Sequence, residues 1–350
     1  MRSLSEFTPA DDQPATPPQP ALHDAMPGHR LSLERIRRAS RSISPVFRNT
    51  PQFDCEPLSK ALGCQLTIKV ETLNPIRCFK GRGADFFLQR LQLKGDATPL
   101  VCASAGNFGQ ALAYACRSRG AALDIFASVN VNPLKAERMQ ALGATLHLVG
   151  ADFDEAKQAA RAYCVANGAR MVEDGLEVEI SEGAGSIAVE LLAAGQFYDA
   201  VLVPLGNGAL LNGMARWIKA TSPATRVIGV SAVGADAMER SWRSGSLVSN
   251  ARVDTIADGV AVREPIAEAV ADMRGLVDDV ILVDDATLVT AMRLAYQHAG
   301  ILLEPSGALG IGAVLTRGHG FDGQSIATVL CGANVTDDHV RQLILGDPPA

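Results

Sequence analysis

"AVLVPLGNGALLNGMARWIKA", residues 200–220, is an apolar run that stops at Leu205, a turn of small residues, and then an amphipathic segment. A short apolar run bounded by glycine predicts a buried strand, and the periodicity from 209 to 220 predicts a helix. Gly206 and Gly208 let backbone N–H groups come close to an anion, and the positive end of the helix dipole favours negative charge at the same place. The turn has the outline of a phosphate cradle, although glycine-rich turns also serve only to join a strand to a helix. No Gly-Lys-Ser/Thr follows, which excludes a nucleotide P-loop, and Leu211 stands where the dinucleotide fingerprint needs its third glycine. A smaller phosphate ligand remains.

The same pattern recurs on both sides. "QLTIKVE" precedes a helical segment at 82–94, "PLVCAS" one at 107–119, "ALDIFAS" one at 133–142 and "ATLHLVG" one at 153–166. Beyond the opening stretch, "RVIGVSA" precedes 234–244, "DVILVDD" precedes 285–299, and "SIATVLC" closes the series. Repeated βαβ units predict an α/β fold with two open, twisted, mostly parallel sheets flanked by helices. The expected division is a disordered tail at 1–30, a large domain from 31–64 and 168–350 that carries the cradle, and a small domain at 65–167. The tail is rich in Pro, Asp and Ala without apolar periodicity.

Composition narrows the function classes. The chain has 350 residues, 47% hydrophobic and 20% charged, with a net charge of −6 and no basic block. No nucleic-acid face is therefore expected. No apolar run approaches the ~20 residues of a membrane helix, and the N-terminus lacks the apolar core of a secretory signal. Seven scattered cysteines, none in a C-x-x-C pair, fit a reducing, cytoplasmic setting and neither a disulfide framework nor a zinc site.

In parallel sheets, ligands bind beyond the carboxyl ends of the strands. After "PLVCA" come Ser104, Ala105, Gly106 and Asn107 at the mouth of a helix; they either cap it or offer its free N–H groups to a carboxylate. After the last strand come Cys331, Gly332 and Asn334. Of seven lysines against 25 arginines, Lys80 differs from the rest, because Phe79, Ala84, Phe86 and Phe87 surround it. An amine near apolar walls loses part of its proton affinity and can form a Schiff base with an aldehyde cofactor; alone, such a lysine also reads as a snorkelling surface residue.

Several stretches, in order, resemble one family. "CFKGRGA" at 78–84, "SAGN" at 104–107, "GNGAL" at 206–210 and "CGAN" at 331–334 are similar to the motifs of the fold type II pyridoxal-phosphate enzymes. "IADGVAV" at 256–262 and "GILLEPSGA" at 300–308 resemble the serine/threonine dehydratase (threonine ammonia-lyase) branch, and the likeness runs from about residue 35 to 340. The resemblance implies a tryptophan synthase β-like fold with pyridoxal 5'-phosphate as cofactor. By motif position it makes Lys80 the Schiff-base lysine, Phe79 its neighbour against the ring, and Asn107 the partner of the ring's 3-oxygen. It assigns the phosphate to Gly206, Asn207, Gly208, Ala209 and Leu210, the pyridine nitrogen to Cys331, and the substrate carboxylate to Ser104, Ala105, Gly106 and Asn107.

The implied activity is dehydration and deamination of threonine or serine to a 2-oxo acid and ammonia. The alternatives are a lyase for 3-hydroxyaspartate, a β-replacement synthase, a racemase, or a silent member of the fold. Ala105 stands where the family's serine racemases carry the serine that acts on the face opposite the lysine. Arg77 and Cys78 replace a usual Gly-Ser pair, and Arg77 is either an outward charge or a partner for a second substrate carboxylate. Ser231 and Ala237 stand where some relatives place carboxylate ligands, so no metal is expected there. The family implies a homodimer, and the short stretch after "CGAN" implies no C-terminal regulatory domain.

Overall fold

The computed structural model describes residue 24 and residues 26–104, 106–131, 133–193 and 195–346. Ten strands are β1 (Gln52–Asp54), β2 (Gln65–Val70), β3 (Leu100–Ala103), β4 (Leu123–Ala127), β5 (Thr145–Leu148), β6 (Arg170–Met171), β7 (Ala200–Pro204), β8 (Arg226–Ala232), β9 (Asp279–Val283) and β10 (Ser325–Leu330). They form two sheets, ordered β1-β2-β10-β7-β8-β9 and β5-β4-β3-β6. Every pairing is parallel except that of β1, a short polar edge strand antiparallel to β2. The interior strands are buried on both faces, which is why they read as near-continuous Val, Ile, Leu and Ala.

Two boundaries differ from expectation. β2 does not open the small domain; it lies inside the larger sheet, paired with β10 along Ser325↔Gln65 to Leu330↔Val70. At the other end, β6 joins the small sheet beside β3 although it follows residue 167. Strand alternation reveals strands but not which sheet each one enters. The expected tail falls mainly outside the described residues, yet its end is held. Arg30 Nε donates to Asp272 Oδ2 at 2.7 Å, its Nη1 and Nη2 donate to the carbonyls of Leu176 and Gly175 at 2.6 and 2.9 Å, and Arg216 donates to Asp24 at 2.7 Å.

The helix Val178–Leu191 has no counterpart in the periodicity, because it is buried on most sides and carries Gly183 and Gly185. It crosses Ala209–Thr221 at nearly backbone contact: a Cβ on Gly213 would sit 1.9 Å from the carbonyl oxygen of Ser181. Glycine is required there for close approach. That crossing fixes the start of Ala209–Thr221, and with it the turn at 206–208. Among the described residues no helix is long and apolar enough to cross a membrane.

Candidate active site

The loops after β2, β7 and β10 of the larger sheet meet those after β3 and β6 of the smaller one. Between them lies a cavity of about 400 Å³, counted to its open mouth, lined by Lys80, Asn107, Gly206 to Gly208, Glu304, Ser306 and Cys331 among others. Phe79 and Leu210 also line it, whereas Ala209, Ser104 and Gly106 do not, and Ala105 lies outside the described residues.

The turn after β7 has unused donors. Gly208, at φ 92°, ends the turn and caps Ala209–Thr221 without any side-chain hydrogen bond. Among the described residues the N–H groups from Gly206 to Leu210 have no partner, while Asn212 N–H already bonds Gly208 O at 2.8 Å. A Cβ on Gly206 would stand 2.8 Å from the carbonyl oxygen of Gly259, so the narrow loop needs glycine. The left-handed conformation falls on Gly208 and not on Asn207. Orphan N–H groups at a helix start make an anion site, and they fit a phosphate.

Lys80 is the first residue of the helix Lys80–Leu93, with Phe79 before it. Its Nζ is 4.8 Å from the Phe79 ring centre and 5.9 Å from that of Phe108. It donates to Asp174 Oδ2 at 2.5 Å. This pairing corrects the sequence expectation for the amine. Burial does push its proton affinity down, but the adjacent carboxylate outweighs burial, so the pKa is raised above the ordinary lysine value.

A hydrogen-bonded row lies beside the lysine. Asn107 Nδ2 donates to Glu304 Oε1 at 2.7 Å, and Asn107 Oδ1 accepts from Asn334 Nδ2 at 2.8 Å. Those two bonds fix the amide's orientation and leave one Nδ2 hydrogen for the cavity. Burial, and next the charge of Asp258, push the Glu304 carboxyl up to about 7. Cys331 donates its S–H to Ser306 O at 3.5 Å, and burial raises its pKa well above the usual thiol value, so it is neutral. The Ser306 hydroxyl is buried, lines the cavity and lacks a partner among the described residues. A small molecule with an aldehyde, a phosphate and polar ring atoms would meet an amine, orphan N–H groups and an orphan hydroxyl here.

Three candidates behave more plainly. Ser104 Oγ accepts from Gly106 N–H at 3.2 Å and Gly109 N–H at 2.9 Å, so it closes the first turn of Asn107–Arg119. Cys78 is in the core, its thiol pushed up to about 12 by burial. Arg77 is exposed, at φ 52°, and is not among the residues lining the cavity. Sequence reasoning missed Asp174 and Glu304. Asp174 follows β6, whose two residues are too few to show as a strand; Glu304 was in a quoted motif without a role.

Residues 43–332 match the family model described as pyridoxal-phosphate dependent enzyme. The L-threonine dehydratase biosynthetic IlvA of Pasteurella multocida is 32% identical over 91% of this chain and 62% of its own length, so the chain spans less than two thirds of that relative. A putative threonine dehydratase of Sinorhizobium fredii is 32% identical over 90% of this chain and 96% of its own. Among solved structures, a threonine deaminase from T.th. superposes with a TM-score of 0.81 at 32% identity, covering 87% of this chain and 99% of the other. Maize serine racemase superposes with a TM-score of 0.82 at 28% identity, covering 89% and 96%.

Proposed function

Because this chain belongs to the pyridoxal-phosphate-dependent enzymes, we propose that it is an ammonia-lyase that dehydrates and deaminates a β-hydroxy amino acid of the threonine or serine type to a 2-oxo acid. The observation that carries this reading is that the Lys80 amine, the donor-rich turn at 206–208, Asn107 and Cys331 line one cavity. Bound there, pyridoxal phosphate supplies a conjugated ring that disperses the negative charge left when an α-proton departs.

The chain's residues divide the remaining work. Lys80 would hold the cofactor's aldehyde carbon until the substrate amine takes its place, and the lysine amine so released would serve as general base for the α-proton. Asp174 aligns that amine and balances its charge after the proton arrives. The N–H groups of Gly206 to Leu210 hold the phosphate, and Phe79 packs on the ring. Asn107 gives its remaining amide hydrogen to the ring oxygen. Cys331 would face the ring nitrogen as a neutral thiol, so no carboxylate would hold a proton there. The family motif at 104–107 would receive the substrate carboxylate, which requires Gly106 N–H to exchange its bond to Ser104 Oγ for one to the substrate.

Racemisation is disfavoured by Ala105, which has no proton to give on the opposite face. The larger domain with the phosphate turn and the smaller domain with the carboxylate loop are read as two bodies around this cavity. Seven free cysteines support a reducing, cytoplasmic setting, and a homodimer is the expected assembly, testable by sedimentation.

Purified protein with added pyridoxal phosphate should absorb at the violet edge and release ammonia from threonine or serine, and Lys80→Ala should lose both signals. Protein that stays colourless with excess cofactor would overturn the reading.

A further inference from the structure

The helix Pro133–Ala141 of the smaller domain carries two cations one turn apart, Lys135 and Arg138. Lys135 Nζ lies 3.5 Å from where a Cβ on Gly106 would stand, so its ammonium rests against the loop proposed for the α-carboxylate. Arg138 Nη1 donates to Asn334 Oδ1 at 3.0 Å, and the same Asn334 donates to Asn107, which lines the cavity. Arg138 is thus two hydrogen bonds from the cavity wall.

The two cations are not equally engaged. Lys135 is ion-paired with Asp258, a mostly exposed carboxylate on the other side of the mouth. Arg138 is half-buried, and among the described residues the bond to Asn334 is its one side-chain hydrogen bond, with no ion pair. A guanidinium has five N–H donors in a fork that matches a carboxylate bidentately. Arg138 does not itself line the cavity, but its partly desolvated fork has spare donors two hydrogen bonds from the cavity wall and one turn from Lys135.

We propose that Arg138, with Lys135 beside it, binds a second carboxylate on the substrate, so that the enzyme prefers an acidic β-hydroxy amino acid of the 3-hydroxyaspartate class to threonine or serine. This rests on the lyase reading above and specifies its substrate. In that reaction the β-hydroxyl leaves as water with the α-proton, and hydrolysis of the resulting enamine consumes one water. The net products are ammonia and a four-carbon 2-oxo dicarboxylate, with no oxidant required. A purely structural Arg138, latching the helix to Asn334, would instead affect every substrate alike.

The test compares kcat/KM for ammonia release from 3-hydroxyaspartate, serine and threonine in the holoenzyme and in Arg138→Ala and Arg138→Lys. In parallel, calorimetry compares succinate with butyrate as probes. A charge-assisted bidentate contact predicts that Arg138→Ala lowers kcat/KM for the acidic substrate by on the order of tenfold to hundredfold more than for threonine. Arg138→Lys should recover part of that loss. Wild-type protein should bind succinate at least about tenfold more tightly than butyrate, a gap that Arg138→Ala closes. Equal losses for all substrates, or equal binding of the two probes, would overturn the proposal while leaving the lyase reading intact. Absence of ammonia from every amino acid would instead sink the lyase reading, and the succinate comparison would still decide the cation site.

Discussion

Replacing Arg82 with Met tests what holds the helix that begins at Lys80 in place. Arg82 lies two residues after Lys80 and is fully buried. Its guanidinium donates to Glu71 Oε2 and Oε1, both at 2.8 Å, to Glu190 Oε1 and Oε2 at 2.7 and 2.9 Å, to Ser186 Oγ at 3.0 Å and to Thr50 Oγ1 at 3.1 Å. Methionine keeps much of the volume but leaves two carboxylates buried with only Lys69, 2.7 Å from Glu190, to offset them. Removing one partner of such a group costs about 3–5 kcal/mol. A second route reaches a similar figure. Burial pushes Glu190 up, but the bonds from Arg82 and Lys69 outweigh it and hold the carboxyl down at about 2, against an ordinary 4.5. That shift corresponds to about 3 kcal/mol. Because the folded pKa is depressed, this stability is present above pH 4.5 and is lost as pH falls through about 2. Urea unfolding followed by tryptophan fluorescence should show the full loss in the variant at pH 7 and a smaller gap from wild type at pH 3. Affinity for pyridoxal phosphate should fall with it, since the helix start carries Lys80. A loss under about 1 kcal/mol at pH 7, the scale of an exposed ion pair, would refute the reasoning.

Asp174→Asn removes the charge that outweighs burial at Lys80. The amine pKa should then fall, and cofactor-free protein should react faster with an amine-acylating reagent at neutral pH; an unchanged rate would contradict the pairing. Glu304, raised to about 7 from 4.5, contributes stability that is full below pH 4.5 and lost as pH rises through about 7. Glu304→Gln should flatten that decline of about 3 kcal/mol in urea titrations across this range. Gly213→Ala places a methyl 1.9 Å from the Ser181 carbonyl oxygen; overpacking should cost about 1–3 kcal/mol and lower the melting temperature.

Legibility followed chemistry that repeats along the chain. The strands buried on both faces and the amphipathic helices after them were readable because each carries its own period, and β7 with Ala209–Thr221 was clear at residue level. β1 and β6 were not, since three and two residues are too few to show alternation. Val178–Leu191 escaped because a helix packed on most sides has no polar stripe, and its glycines, which read as breakers in sequence, are there to let helices touch. In the site, Lys80, the turn at 206–208, Asn107 and Cys331 were found from local context, and the structure brings them to one cavity. Asp174 and Glu304 act through partners 94 and 197 residues away, at Lys80 and Asn107. No local pattern encodes such a distance.

The Lys80 amine shows how the missing partner changes chemistry as well as geometry. Phenylalanines around a lysine argue for a neutral amine, since a charge loses solvation there. One carboxylate at 2.5 Å reverses the sign and stores the amine as a cation. A cationic amine is a poor nucleophile towards an aldehyde, so the role proposed for Lys80 would require its amine to lose a proton before pyridoxal phosphate could bind it. Asp174 is the nearest acceptor for that proton. Loading of cofactor-free protein should therefore accelerate with rising pH, and in Asp174→Asn the acceleration should be complete at lower pH. A loading rate independent of pH in wild type would mean that the ion pair does not govern this step.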